Sequence, residues 1–202
     1  MLPPTETQVS DDLEREVREL VRRVIAGLVE APDAVPTSVP SGDARDGAVG
    51  DVIAIGADHG GYALKERLVF RLREAGWEVR DCGTDGTDAV DYPDFAHAVA
   101  RLVADGTCRW GIVVDGAGLG SAIVANKVPG VRAATCHDIS TARNAREHNH
   151  TNVLALGAGL LGDALAWQIV EEWLATPWGG GRHARRVRKI DDVERLYART
   201  GR

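Results

Sequence analysis

The sequence predicts an α/β fold: a parallel, doubly wound sheet flanked by helices. Three observations carry this. Short apolar runs (Val52-Ile53-Ala54-Ile55, Trp110-Gly111-Ile112-Val113-Val114, Val153-Leu154-Ala155-Leu156) have the length and continuity of strands buried on both faces. Segments with apolar residues at helical spacing alternate with them. Glycines close the strands, at Gly56, Gly116 and Gly157.

The 202 residues suffice for one domain plus an appendage, and the 44% hydrophobic share is ordinary for a packed core. A net charge of -6 argues against general affinity for nucleic acid or anionic membranes. Cys82, Cys108 and Cys136 are odd in number and show neither metal spacing nor a disulfide framework, which predicts a reducing, cytoplasmic location. The N-terminus reads as acidic rather than as a leader peptide, and no apolar run approaches the length of a bilayer span.

Residues 1–30 read as an extension built on an amphipathic helix. Ser10 is its N-cap, Asp11 and Asp12 fill the first turn, and Leu13, Val17, Leu20, Val21, Val24 and Leu28 form one face. Residues 31–50, with Pro32, Pro36, Pro40, Gly42, Gly47 and Gly50, are a linker. The helix must bury its stripe on its own domain, on a dimer mate or on a separate partner. The folded domain spans 51–202. Its first strand, Val52–Gly56, ends in the turn Ala57-Asp58-His59-Gly60-Gly61, and a helix runs from Tyr62 to Ala75, with Gly76 as its stop. A second strand covers Trp77–Cys82. A polar loop leads to a helix over Tyr92–Ala104, with Pro93 in its first turn. The third strand, Trp110–Val114, meets a glycine turn and a helix start. A fourth strand spans Val131–Cys136, a helix Ser140–His148, the fifth strand Val153–Leu156 and a helix Gly162–Ala175. A basic stretch from Gly179 precedes a last helix over Asp191–Arg199.

Chemistry concentrates in four polar sets. Asp58-His59 and Asp115 end the first and third strands, where open α/β sheets hold their ligands. Asp115 faces Gly116, Gly118 and Gly120, a turn whose N–H groups suit an anion, so it is either a catalytic carboxylate or a cap. Cys136-His137-Asp138 and Arg146-Glu147-His148-Asn149-His150 complete the sets, and all four are expected at one edge of the sheet. The histidine spacings match no metal pattern, and Arg146 and Arg182 would repel a cation, so no metal is expected. Arg182 and Arg186, four apart, either form a solvated charge run or clamp a phosphate from one helix face.

From residue 52 to 190 the chain resembles the ribose-5-phosphate isomerase B family, which includes galactose-6-phosphate isomerase subunits. The resemblance is carried by Gly56-Ala57-Asp58-His59-Gly60-Gly61, Asp91-Tyr92-Pro93-Asp94, the glycine turn running into Ala125-Asn126-Lys127-Val128-Pro129-Gly130, Cys136-His137-Asp138, Arg146-Glu147-His148-Asn149 and Gly181-Arg182-His183-Ala184-Arg185-Arg186. It implies a Rossmann-like three-layer α/β/α sandwich with a five-stranded parallel sheet. It implies interconversion of an aldose phosphate and a ketose phosphate through an enediol, with no metal or organic cofactor. The implied assembly is a homodimer or dimer of dimers with active sites shared between subunits. By position, Asp58 and His59 resemble residues that hold the sugar and its phosphate. Tyr92 lines the site, and Gly116, Gly118 and Gly120 lie in the loop that stabilises the enediolate. His148 resembles the histidine that opens the furanose ring, Asn149 contacts the sugar, and Arg182 and Arg186 bind phosphate.

Three positions depart from this pattern. Many members have Cys as the base where this chain has Asp115, Thr where it has Ala117 and Arg where it has Gly159; others carry a Glu base at the position of Ser121. The proton carrier is then expected to be Asp115. Loss of the Thr and the Arg allows a substrate other than a furanose phosphate, such as a four-carbon sugar phosphate, which has no five-membered ring to open. A sugar-phosphate-binding protein without catalysis, and an epimerase or dehydratase reusing the same loop, are the competing readings. The helical extension resembles tags that load enzymes into bacterial microcompartments, which makes a shell protein a candidate partner.

Overall fold

In the computed structural model, which describes residue 19 and residues 52–198, five strands form one parallel sheet. They are β1 (Val52–Ala57), β2 (Glu78–Asp81), β3 (Trp110–Asp115), β4 (Ala133–Thr135) and β5 (Val153–Gly157), in the order β2-β1-β3-β5-β4. Every neighbouring pair is parallel, so each connection crosses a face of the sheet. The chain winds outward from β1 to β2, returns to β3, then reaches β4 before coming back to β5. The winding reverses between β1 and β3, and the crevice at their carboxyl ends is the ligand position of such sheets.

The strands sort their side chains by size. Ile53, Ile55, Ile112, Val114, Leu154 and Leu156 enter one core with α1 (Tyr62–Glu74), α4 (Ile139–Asn149) and α5 (Asp163–Ala175). Ala54, Val113, Val153 and Ala155 form a second core with α2 (Tyr92–Ala104) and α3 (Leu119–Ala125) on the opposite face. The second face presents smaller side chains, so α2 and α3 approach the sheet closely. These layers make the α/β/α sandwich that the sequence predicts.

Two strands are shorter than expected. β2 lacks Trp77 and Cys82, and β4 keeps only three of the six residues from Val131 to Cys136. Both are edge strands, paired on one side, so their ends have no second neighbour to extend the ladder. The last helix, α6 (Gly181–Ala198), starts ten residues earlier than apolar spacing suggests. Its buried residues are His183 and Val187, one turn apart, which leaves too narrow a stripe to signal a helix. Farther along, both carboxylate oxygens of Glu194 accept from the Gly130 N–H at 3.0 Å, and Asp191 pairs with Arg132 at 3.3 Å. Of the expected helix at 10–30 only residue 19 is described, and the linker at 31–50 and the expected partner lie outside the described residues. Among the described residues no helix is long and apolar enough to cross a membrane.

Arg146, grouped with chemistry-bearing residues by its sequence neighbours, is instead a core residue. It is 3% exposed; its guanidinium lies 4.1 Å from the ring centroid of Trp110 and 5.3 Å from that of Trp173. Its Nη1 donates to the Thr151 carbonyl at 2.6 Å, while the Trp173 indole N–H donates to the Thr151 hydroxyl at 2.9 Å. This cluster ties α4, α5, β3 and the turn before β5 together. Arg146→Ala removes a cation–π sandwich, leaves a buried carbonyl without its donor and opens a cavity. The expected loss is about 2–4 kcal/mol of unfolding free energy, measured by urea denaturation, with Arg146→Met recovering the packing share.

Candidate active site

The turn after β3 places Asp115 at the centre of the crevice. The side chain is 5% exposed. Its Oδ1 accepts from the N–H of Ala117 at 2.9 Å and from the N–H of Gly118, and its Oδ2 accepts from the N–H of Ser121 at 2.9 Å. This contact pattern requires the chain to reverse within three residues. Gly118 makes that possible with a φ of 76°, and a Cβ there would lie 2.8 Å from the Leu156 carbonyl carbon. The carboxylate thus caps the amino end of α3, where the helix dipole also favours negative charge. Burial pushes the Asp115 carboxyl up, but the Ser121 hydroxyl and N–H and the N–H groups of Gly118 and Ala117 outweigh it. The net result holds the group below the usual carboxylate range.

The glycine turn is therefore divided. Ala117, Gly118 and Ser121 spend their N–H groups on Asp115, whereas those of Gly116, Leu119 and Gly120 have no hydrogen-bond acceptor among the described residues. Gly120 also carries a packing constraint. A Cβ at this position would lie 2.7 Å from the ring of Tyr92, so the tyrosine lies directly on the turn.

The other residues at this edge come from β1 and α2. Asp58 is buried, and its Oδ1 accepts from the Gly61 N–H at 2.9 Å, which fixes the turn into α1. His59 is exposed, with Nδ1 3.2 Å from both the backbone nitrogen and the carbonyl oxygen of Val90. This contact ties the β1 turn to the loop that delivers Tyr92. The loop is anchored at its start by the buried Lys65, which pairs with Asp81 at 2.5 Å, while Asp81 accepts from the Gly83 N–H at 2.9 Å.

The third set is structural. Asp138 caps α4 in a reciprocal capping box with Thr141. Burial pushes the Cys136 thiol up to about 11, so it remains a neutral packing residue.

The fourth set lies elsewhere, a correction to the single-edge expectation. α4 leaves the carboxyl end of β4 and descends to the amino end of β5, so His148 and Asn149 emerge at the opposite edge from Asp115. β5 alone separates the edges by about 13 Å. There the His148 ring stacks on His183 of α6, with centroids 4.2 Å apart and planes 5° from parallel. His183 is buried. Its Nε2 accepts from Arg182 Nε at 3.3 Å, which leaves the proton on Nδ1, a buried atom without a hydrogen-bond partner among the described residues. Burial, His148, Arg182 and Arg186 all lower its pKa, consistent with a neutral ring. Arg182 and Arg186 are exposed beside this pair.

Two polar side chains here escaped the sequence reading. Asn144 contacts His148 Nδ1 through its Nδ2 at 2.8 Å, and its carbonyl and side-chain oxygens each accept from Asn149 at 3.3 Å. Its spacing four residues before His148 was the available signal. Ser121, at the position where some family members carry a Glu base, is a main partner of Asp115 through its backbone N–H.

Because the folded Asp115 carboxyl ionises more readily than the unfolded one, its stabilising contribution is full above the unfolded pKa. It is lost as pH falls through the lower folded pKa. Asp115→Asn turns an amide N–H₂ or a weaker acceptor toward the Ser121 N–H. It is expected to destabilise the fold at pH 7 by about 1–3 kcal/mol. The gap to wild type should narrow steadily in denaturation series carried down through the acidic range.

Comparison with known proteins identifies the family. The family model described as Ribose/Galactose Isomerase matches residues 53–190. Ribose-5-phosphate isomerase B of Escherichia coli is 45% identical over 142 residues, covering 70% of this chain and 95% of that protein. The D-erythrulose-4-phosphate isomerase of Pectobacterium atrosepticum is 43% identical over 143 residues, covering 70% and 94%. The structure of ribose-5-phosphate isomerase B from Clostridium thermocellum superposes with a TM-score of 0.72 at 52% identity, covering 72% of this chain and 99% of that one. By family model, sequence identity and fold, the chain belongs to the ribose/galactose isomerases and is an aldose–ketose isomerase acting on a sugar phosphate.

Proposed function

We propose that the chain isomerises a five-carbon sugar phosphate of the ribose 5-phosphate/ribulose 5-phosphate type, with Asp115 as the base. The observation that carries this reading is the buried carboxylate at the end of β3, held below the usual carboxylate range and adjoining three backbone N–H groups without acceptors among the described residues. Asp115 takes the proton from the carbon beside the carbonyl. The C–H electron pair becomes the C=C bond of the enediol, and charge moves onto the carbonyl oxygen. The N–H groups of Gly116, Leu119 and Gly120 supply donors for that oxygen. The proton of the neighbouring hydroxyl moves to that oxygen, and the C=C pair takes back the proton at the former carbonyl carbon, which leaves the new carbonyl on the neighbouring carbon. A carboxylate held below its usual pKa is ionised throughout the neutral range but is a weak base, so the reaction leans on stabilisation of the enediolate.

In this reading the substrate's phosphate and ring oxygen meet Arg182, Arg186 and His148, with Asn149 beside them, while Asp58, His59 and Tyr92 line the opposite wall. One chain cannot bring these groups together, because they emerge at opposite edges of its sheet. A second copy supplies the missing half. Exposed apolar side chains flank both halves: Leu119 and Ile123 beside the glycine turn, and Ile190, Val193 and Leu196 on α6. Such faces favour association.

A four-carbon substrate is the second reading, supported by the loop after β5. Gly159 donates its N–H to the Gly116 carbonyl at 2.9 Å and offers no side chain to a phosphate, and Ala117 offers no hydroxyl for ring opening. The relative named for D-erythrulose 4-phosphate lends this weight.

The test is proton NMR in heavy water with ribose 5-phosphate, erythrose 4-phosphate and a six-carbon analogue. Deuterium should enter the carbon beside the carbonyl of one substrate with wild type, and at least about 100-fold more slowly with Asp115→Asn. Undiminished exchange in Asp115→Asn would leave Asp115 as a cap and move the base elsewhere. A preference for erythrose 4-phosphate would select the second reading.

A further inference from the structure

The peptide that joins Gly118 to Leu119 is gripped at one end and open at the other. At its carbonyl end, the Thr135 hydroxyl donates to the Gly118 oxygen at 2.8 Å. At its nitrogen end, the Leu119 N–H is one of the three without an acceptor among the described residues. The unit is trans, so the two groups point in opposite directions. A carbonyl held on one side therefore aims the N–H to the other. Helix capping does not require this contact, because the carbonyl that precedes a helix ordinarily accepts from the helix alone. The extra donor comes from β4, 17 residues along the chain. The Thr135 methyl group is seated on the same residue: its Cγ2 lies 3.0 Å from where a Cβ on Gly118 would be. A β-branched side chain engaged through both branches keeps one χ1 setting.

We propose that Thr135 is a positioning residue for the isomerisation: its hydroxyl aims and polarises the Gly118–Leu119 peptide, whose N–H meets the oxygen on which negative charge develops. This rests on the reading of the glycine turn as the site of the enediolate. A donor at a carbonyl oxygen draws electron density from the amide nitrogen and makes its N–H a stronger donor. The gain grows with the charge on the substrate oxygen, so it is larger for the enediolate than for the bound sugar. It therefore raises kcat rather than ground-state binding. Thr135 exchanges no proton in this scheme and acts through the peptide alone.

Thr135→Val, which keeps the shape and removes the hydroxyl, and Thr135→Ser, which keeps the hydroxyl, test this. Initial rates would be measured with ribose 5-phosphate, erythrose 4-phosphate and a six-carbon analogue, alongside the NMR spectrum of the free protein. Loss of a direct donor to an oxyanion costs about 100-fold or more in kcat, and loss of a group that polarises one donor should cost less. Thr135→Val should lower kcat about five- to tenfold with KM within about twofold. The Gly118 carbonyl ¹³C and Leu119 amide ¹H resonances should both move upfield. Thr135→Ser should return kcat to within about twofold of wild type and restore both resonances. Should Thr135→Val fail to fold, Thr135→Ala carries the same test. A wild-type kcat in Thr135→Val would overturn the proposal. So would a loss confined to KM, or a loss of kcat that Thr135→Ser shares, since the methyl group rather than the hydroxyl would then matter. Failure of the underlying reading shows separately, as a wild type that exchanges no deuterium from heavy water into any of the three sugars.

Discussion

The contact between the Asp115 carboxylate and the N–H groups of the glycine turn governs the carboxyl edge of this sheet. It ends β3, starts α3, and fixes which backbone donors are consumed and which remain. A neutral side chain would leave the amino end of α3 without its counter-charge. The carboxylate supplies that charge, and its ionisation is stabilised in return. The same atoms therefore serve the fold and, on our reading, the chemistry. Such double use explains how a residue with an ordinary structural role can sit where proton transfer takes place.

Geometry also decides what a single chain cannot do. A helix that follows a strand of a parallel sheet must carry the chain back to the other edge, so residues at the end of α4 cannot share a crevice with residues at the end of β3. On our reading, the His148–His183 stack, with Arg182 and Arg186 beside it, supplies one half of the site. The Asp115 crevice, on the same reading, supplies the other half. In that reading, the apolar side chains exposed on α3 and α6 offer the surfaces through which two copies would join these halves.

Much of the fold was legible because its signals are local. Buried parallel strands read as apolar runs, and helices as periodic stripes, so the sheet and most helices were found. The edge strands were overextended because pairing on a second side is not a property of the strand's own sequence. α6 was started late because one buried turn, His183 and Val187, carries almost no periodicity. The residues at the site were legible one by one, but their grouping was not. Sequence adjacency placed Arg146 with His148, yet successive helical positions point to different faces: Arg146 enters the core between two indoles, while His148 meets α6. Ser121 was read for its own chemistry, and its partnership with a carboxylate six residues earlier depends on the reversal at Gly118.

The central claim, a site assembled from two copies around the Asp115 carboxylate, is tested most directly by mixing two inactive variants. Asp115→Asn and His148→Asn, each nearly inactive alone, would be unfolded together, refolded and assayed. If each site takes Asp115 from one copy and His148 from the other, a mixed dimer holds one site with both residues intact. Random reassociation should then restore about a quarter of wild-type activity. A mixture no more active than its parents would mean that both residues act within one chain, or that one of them does not act at all, and would contradict the account.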